Sequence, residues 1–330
     1  METVILKPDM LNPAVEALKA GELVAFPTET VYGLGADGLN GEAAAKIFRA
    51  KGRPQDNPLI LHVKNPEDLE ALALGPLPSS AVQLVEAFWP GPLTVVVRAH
   101  PKIPAVVRGG LDTVAVRAPD HPVARALIAG LNNPIAAPSA NLSGRPSPTS
   151  ASAVWADLQG RVGYIIDGGP TRVGLESTVV DCTVTPVVLL RPGGVSLEMV
   201  ASVVGEVALP DGHGPARAPG MKYRHYAPNA PVVWVQSASP ARVQALLPEL
   251  KDRYGALALI APESFSSIAR GPWASLGEDD VSAAHRLFGA IRALDAGNPG
   301  AIVVVWESDH GLGLAIRNRI EKAAGVRIKA

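Results

Sequence analysis

A single cysteine, Cys182, stands in a chain of 330 residues. That excludes an intramolecular disulfide and any cysteine-based zinc site. Its place after the apolar run Ser177-Thr178-Val179-Val180-Asp181 predicts a buried strand-end thiol, not a nucleophile. Aromatic residues make up only 5% of the chain, too few for a base-stacking platform. Neither sign of charge predominates, and the net charge of −1 provides no large-scale attraction to nucleic acid, although a local basic patch is compatible with it. No apolar run reaches the roughly 18 residues of a membrane span. The opening segment has no basic stretch leading into a long apolar core. The expectation is a cytoplasmic protein with no membrane partner. Also missing are Gly-x-x-x-x-Gly-Lys-Ser/Thr, Gly-x-Ser-x-Gly, His-Glu-x-x-His and any spaced histidine pair. Those absences remove P-loop nucleotide binding, nucleophile-elbow hydrolysis and histidine-based metal chemistry.

What is present is an ordinary globular balance, 47% hydrophobic and 18% charged, on a length that predicts two domains or one large one. Asn12, Pro13 and Gly21 suit the cap, first turn and end of an opening helix. Residues 23–26, 59–63, 93–98, 113–117, 135–138, 164–166, 177–181 and 187–191 read as strands, the last two as a hairpin. Helices are expected over 43–50, closed by Gly52, from Asn65-Pro66, and from a Ser79-Ser80 cap to Phe88. Many strands among few helices predict a mixed sheet with packed helices over residues 1–204. Gly and Pro density over 205–231 argues against a regular element there and predicts a linker. Its cluster Lys222-Tyr223-Arg224-His225-Tyr226 is too cationic and aromatic for a passive spacer. Residues 232–330 alternate strands (232–235, 256–260, 301–305) with helices (240–250, 281–294, 314–323), the pattern of a smaller parallel α/β domain. No Gly-x-Gly-x-x-Gly follows its first strand, and Gly311-Leu312-Gly313 reads as a tight turn.

The chemistry-bearing signal is a split pair of tripeptides, Lys51-Gly52-Arg53 and Ser139-Ala140-Asn141, each in a turn beside a strand. Two cations and a hydroxyl/amide pair at strand ends suit a polyphosphate, the cations offsetting charge and the short donors fixing orientation. Around them, in order, stand Pro27-Thr28-Glu29-Thr30-Val31-Tyr32-Gly33-Leu34, Asn57-Pro58-Leu59, Pro90-Gly91-Pro92-Leu93-Thr94, Ala115-Val116-Arg117, Ala137-Pro138 and Ser177-Thr178-Val179-Val180-Asp181. From about Thr3 to Val204 this series resembles the YrdC-type threonylcarbamoyl-AMP synthase family. His225-Tyr226-Ala227-Pro228 and the trailing domain resemble its long, two-domain form.

The resemblance implies an α/β (α+β) fold, a YrdC-like mixed twisted sheet followed by a Rossmann-like domain. It also implies a nucleotidyltransferase that makes threonylcarbamoyl-adenylate and pyrophosphate from L-threonine, bicarbonate and ATP, with Mg2+ expected alongside. The product would pass to a tRNA threonylcarbamoyl-transferase complex, and direct contact with tRNA is left open. By the same resemblance Lys51, Arg53, Ser139 and Asn141 carry the catalytic phosphate contacts. Asn57, Thr113, Ser147, Arg191 and Tyr226 fall at nucleotide positions, with the linker as a lid. Thr30, His62, Arg117, Ala137 and Ser177 fall around threonine. Each has a plainer rival. Lys51 and Arg53 suit a helix C-terminus, Arg117 could pair with Asp112 or Asp120 at the surface, Arg191 could end an exposed strand, and His62 could be a satisfied core histidine. The alternative class is a non-catalytic RNA-binding module on a concave basic surface of Lys51, Arg53, Arg108, Arg117 and Lys222. A carbamoyl-transfer enzyme of hydrogenase maturation would need zinc fingers, which one cysteine cannot build.

Overall fold

The computed structural model describes residues 2–210 and 225–329. It divides into two units. One is built from Met1–Ser143, Ser147–Arg172 and Glu176–Lys222, the other from Gly144–Pro146, Val173–Leu175 and Tyr223–Ala330. Of the linker cluster, Lys222, Tyr223 and Arg224 lie outside the described residues.

Strands of the first unit are β1 (Val4–Leu6), β2 (Val24–Phe26), β3 (Gly33–Asp37), β4 (Ile60–His62), β5 (Leu93–Arg98), β6 (Thr113–Arg117), β7 (Ile135–Ala137), β8 (Tyr164–Ile166), β9 (Thr178–Asp181), β10 (Val187–Arg191) and β11 (Val207–Ala208). They form one mixed sheet in the order β1-β8-β2-β3-β7-β4-β6-β5-β9-β10-β11. Its helices are α1 (Asn12–Lys19), α2 (Gly41–Lys51), α3 (Ser79–Phe88), α4 (Ala105–Arg108), α5 (Pro122–Leu131), α6 (Ala151–Leu158) and α7 (Leu197–Val204). The expected hairpin is β9–β10, an antiparallel pair.

Side-chain alternation sorts the sheet's two faces. Leu59, Leu61, Val95, Val97, Val114, Val116 and Val180 join the main core with α2, α3, α4, α6 and α7. On the reverse side α1 and α5 cover β1, β8, β2 and β7. Farther along that side lies a separate small apolar cluster of Ile60, Val96, Ala115 and Val179, to which no helix of this unit contributes. Among the described residues of this unit no helix packs on that stretch of sheet, and the polar residues of the central strands flank it.

Helix α2 delivers the first motif. The Asn40 side chain accepts hydrogen bonds from the Glu42 and Ala43 N–H groups, and Gly52 closes the helix in the left-handed region at φ 63°, where glycine carries no steric penalty. Its buried stripe is Ala43, Ala44, Ile47, Phe48 and Lys51, the spacing of one helical face. Lys51 is thus carried inward by helix periodicity.

Four local expectations need correction. Asn12 and Ser79 are the first helical residues, with Leu11 and Pro78 at the cap positions and no side-chain cap bond. Each is followed or preceded by a proline whose fixed φ suits a helix start without a side-chain cap. The segment after Asn65 is a 3-10 helix, Pro66–Leu72. The stretch read as wholly irregular holds β11, which pairs in parallel with β10. Two residues add to an existing sheet edge without any periodic signal of their own.

In the second unit β12 (Val232–Gln236), β13 (Leu257–Ala261), β14 (Trp273–Ser275), β15 (Ala301–Val305) and β16 (Val326–Lys329) form a sheet ordered β14-β13-β15-β12-β16. Every pairing is parallel. The helices are α8 (Pro240–Tyr254), α9 (Asp280–Asp295) and α10 (Gly311–Ala323). Asp280 accepts from the Gly313 N–H at 2.9 Å, so the protein's own carboxylate satisfies the first turn of α10.

Asn40→Ala removes the acceptor for two orphan N–H groups of α2 and is expected to lower stability by about 1 kcal/mol. Chemical denaturation checks this, and an unchanged midpoint would contradict it.

Candidate active site

Lys51 and the Ser139–Asn141 turn, far apart in sequence, meet directly. The buried Lys51 Nζ donates to the Ser139 carbonyl at 2.5 Å and also to the Asn141 carbonyl. The Ser143 N–H returns a bond to the Lys51 carbonyl at 2.9 Å. A third segment joins them, because Tyr32 O accepts from Ala140 N at 2.8 Å and Leu34 N donates to Pro138 O at 2.9 Å. Within the turn, Ser139 Oγ donates to Asn141 Oδ1. Arg53 points elsewhere, donating through Nη2 to the Pro58 carbonyl at 3.1 Å and to that of Asn57 at 3.3 Å. Lys51 lies in the last turn of its own helix, yet its ammonium reaches across to the other loop. Asn57 Oδ1 is buried without a hydrogen-bond partner, an acceptor set beside the loop that Arg53 holds.

Arg117, at the end of β6, is 3% exposed, so the surface pairing with Asp112 or Asp120 does not occur. Asp120 pairs instead with Arg172 at 2.8 Å. The Arg117 guanidinium forms an ion pair with Glu29, donates from Nη1 to Thr30 Oγ1 at 2.8 Å and from Nε to the Gly91 carbonyl at 3.1 Å. Thr30 Oγ1 also bonds Thr28 Oγ1 at 2.8 Å. His62 lies opposite Arg117 in the β4–β6 register. Burial first, and the Arg117 charge second, lower its pKa to about 3. Its Nδ1 lies 3.1 Å from the Ile60 carbonyl, so His62 is a neutral imidazole near neutral pH.

A second polar knot joins β5, β9 and β10. Ser177 Oγ bonds Thr94 Oγ1 at 2.8 Å, and Arg191 Nη2 donates to the Ser177 carbonyl at 2.9 Å and to its hydroxyl at 3.2 Å. Arg191 is buried, not an exposed strand end. The reason is a register shift: Leu189 faces Val180, but Arg191 faces Val179. The bulge turns Arg191 from the helix-backed core to the opposite face. Gly193 then comes so close to residues 176–178 that a Cβ would meet Glu176 O at 2.4 Å. Ser147, fully buried, donates to Glu176 Oε1. Thr113 opens β6 on the same face as Ala115 and Arg117, and Ala137 ends β7 paired with Ile60.

One region of the first unit thus gathers most of the residues singled out in the sequence. Tyr226 belongs to the second unit, where it is 5% exposed. Its ring stands 5.2 Å from Phe288 and its backbone has φ 63°. Sequence reading missed the carboxylates Glu29 and Glu176. Glu29 lies inside the quoted Thr-Glu-Thr motif, and its position among hydroxyls was the available signal. Cys182 is buried as expected, and desolvation raises its pKa to about 12, which suppresses the thiolate. Among the described residues no three His, Cys, Asp or Glu side chains converge as a metal site. The arrangement offers fixed cations, hydroxyls and two buried carboxylates, Glu29 and Glu176, a set for holding charged ligands.

A family model described as "Telomere recombination" matches residues 16–193, and one described as "Threonylcarbamoyl-AMP synthase, C-terminal domain" matches residues 195–325. The threonylcarbamoyl-AMP synthase of Pyrococcus abyssi is 47% identical over 319 residues, covering 94% of this chain and 93% of the relative. That of Bacillus subtilis is 45% identical over 323 residues, covering 96% and 93%. The chain belongs to the threonylcarbamoyl-AMP synthase family. A crystal structure of P. abyssi Sua5 complexed with L-threonine matches with a TM-score of 0.95 at 44% identity, covering 99% of this chain and 100% of that one.

The folded protein keeps His62 neutral down to about pH 3, against an ordinary value of 6.5. The unfolded chain therefore binds the extra proton across that interval, and stability falls as pH drops through it. Denaturation midpoints of the wild type are expected to fall more steeply from about pH 6.5 to 4.5 than those of His62→Gln. Equal slopes would contradict the assignment.

Proposed function

We propose that this enzyme is a nucleotidyltransferase that converts L-threonine, bicarbonate and ATP to threonylcarbamoyl-adenylate, pyrophosphate and water. The threonine amine takes up the bicarbonate carbon with loss of water, giving a carbamate. A carbamate oxygen then attacks the α-phosphorus, and pyrophosphate leaves. No covalent enzyme intermediate is required, so positioning and charge stabilisation do most of the work. The observation that carries this reading is the convergence, in one unit, of a buried arginine network with two loops bearing Lys51, Ser139 and Asn141.

In this reading Arg117 takes the amino-acid carboxylate, with Thr30, His62, Ala137 and Ser177 around the rest of threonine. Lys51, Arg53, Ser139 and Asn141 frame the triphosphate, and Asn57, Thr113, Ser147 and Arg191 the remainder of the nucleotide. The contacts of Lys51 add a second duty, since its ammonium sets the shape of the Ser139–Asn141 turn while contributing positive charge. Mg2+ enters as the counter-ion of the substrate nucleotide, and no step is routed through a protein-held metal. The product is a mixed anhydride, suited to a downstream transfer to tRNA. The RNA-binding alternative loses its surface: Lys51, Arg53 and Arg117 are buried, and Arg108 donates to the carbonyls of Ile103 and Leu111.

Pyrophosphate release from ATP is expected only with both threonine and bicarbonate present. Release that ignores either one would overturn the reaction. Arg117→Lys, which lacks the planar fork, is expected to raise the KM for threonine roughly tenfold or more and leave that for ATP unchanged, a hydrogen bond to a charged group being worth about 1.5–3 kcal/mol. A matching rise for ATP would contradict the division of the site.

A further inference from the structure

We propose that Glu29 is a specificity residue, making the Arg117 site prefer a zwitterionic amino acid over a plain carboxylate anion. The inference rests on the threonine reading above. Glu29 is 1% exposed, and its carboxylate forms an ion pair with Arg117. Neither of its oxygens has a hydrogen-bond partner, and the ion pair is made through Oε1. A buried carboxylate with an unanswered oxygen is costly unless a donor arrives to meet it.

The guanidinium inventory leaves room for a ligand. Of five N–H groups, one is directed to the Gly91 carbonyl, one to Thr30 Oγ1 and one toward Glu29. Two remain, as many as a bidentate carboxylate needs. Charge decides what that carboxylate must carry with it. Arg117 and Glu29 together are neutral, and His62 beside them adds no charge because burial holds it unprotonated. A plain anion on Arg117 would bring a second carboxylate against Glu29 in a site shielded from water, where like charges repel strongly. An α-amino acid avoids this, because its ammonium, attached next to the carboxylate, can turn toward Glu29 Oε2. Rejection of the wrong ligand by a fixed like charge is a common source of specificity. The selection has chemical sense, since only a ligand with an amine can become a carbamate.

The test is calorimetric titration of the full chain with L-threonine, with 3-hydroxybutyrate (threonine without its amino group) and with ATP. Wild type is expected to prefer threonine. Glu29→Gln keeps the size of the side chain but not its charge. It should lose about tenfold or more in threonine affinity, on the scale of one charge-assisted hydrogen bond, gain affinity for 3-hydroxybutyrate and keep its ATP affinity. Glu29→Asp, which keeps the charge, should retain the preference for threonine, and it remains informative if the Gln variant fails to fold. Parallel losses for threonine and 3-hydroxybutyrate in Glu29→Gln, or loss of the preference in a folded Glu29→Asp, would overturn the inference alone. A wild type that binds neither small acid would overturn the threonine reading and this inference with it.

Discussion

A buried ammonium holds the site together. Lys51 Nζ reaches the carbonyls of Ser139 and Asn141, tying the end of α2 to the turn that leaves β7. Burying a lysine is unfavourable unless its donors are answered, so the carbonyls must stay where they are, and the turn with them. Helix periodicity and the Asn40 cap aim the lysine. The strand pairing of Gly33 with Ser139 and the Tyr32–Ala140 bond align the turn. Loss of this contact would leave the end of α2 joined to the turn only through the Ser143–Lys51 backbone bond among the contacts described.

Around that fastening, strand alternation supplies the rest. Because side chains point to opposite faces in turn, the central strands give Leu61, Val95 and Val116 to the helix-backed core and His62, Thr94 and Arg117 to the other side. The small cluster of Ile60, Val96, Ala115 and Val179 forms an apolar floor there. Charges bordering such a floor act in a weakly screened environment, where each is stronger than in water. The proposed reaction, which aligns an amino acid with a nucleotide, suits a surface of this kind.

Much of this was legible from residue pattern. The strands Leu93–Arg98, Thr113–Arg117, Tyr164–Ile166 and Val187–Arg191 have the bounds expected, since their residues are mostly apolar or β-branched. The strand Gly33–Asp37 was not legible, because Gly-Leu-Gly-Ala-Asp has no strand propensity and pairs only through its neighbours. The edge strands Trp273–Ser275 and Val326–Lys329 are half exposed and carry little apolar signal. At the site, Lys51, Arg117 and Ser139 stand out by residue type. The burial of Arg191 does not, because it depends on a bulge that no local pattern announces. Glu29 was passed over for a similar reason: only the fold puts it against a guanidinium contributed by a strand far along the chain.

The central claim is that one face of one sheet brings an amino acid and a nucleotide together. A crystal structure with L-threonine and a non-cleavable ATP analogue tests it most directly. The expected result has the threonine carboxylate on Arg117, with its amine between Glu29 and the α-phosphorus and the triphosphate against residues 51–53 and 139–141. A nucleotide bound away from those loops, or a threonine whose amine points away from the phosphates, would contradict it.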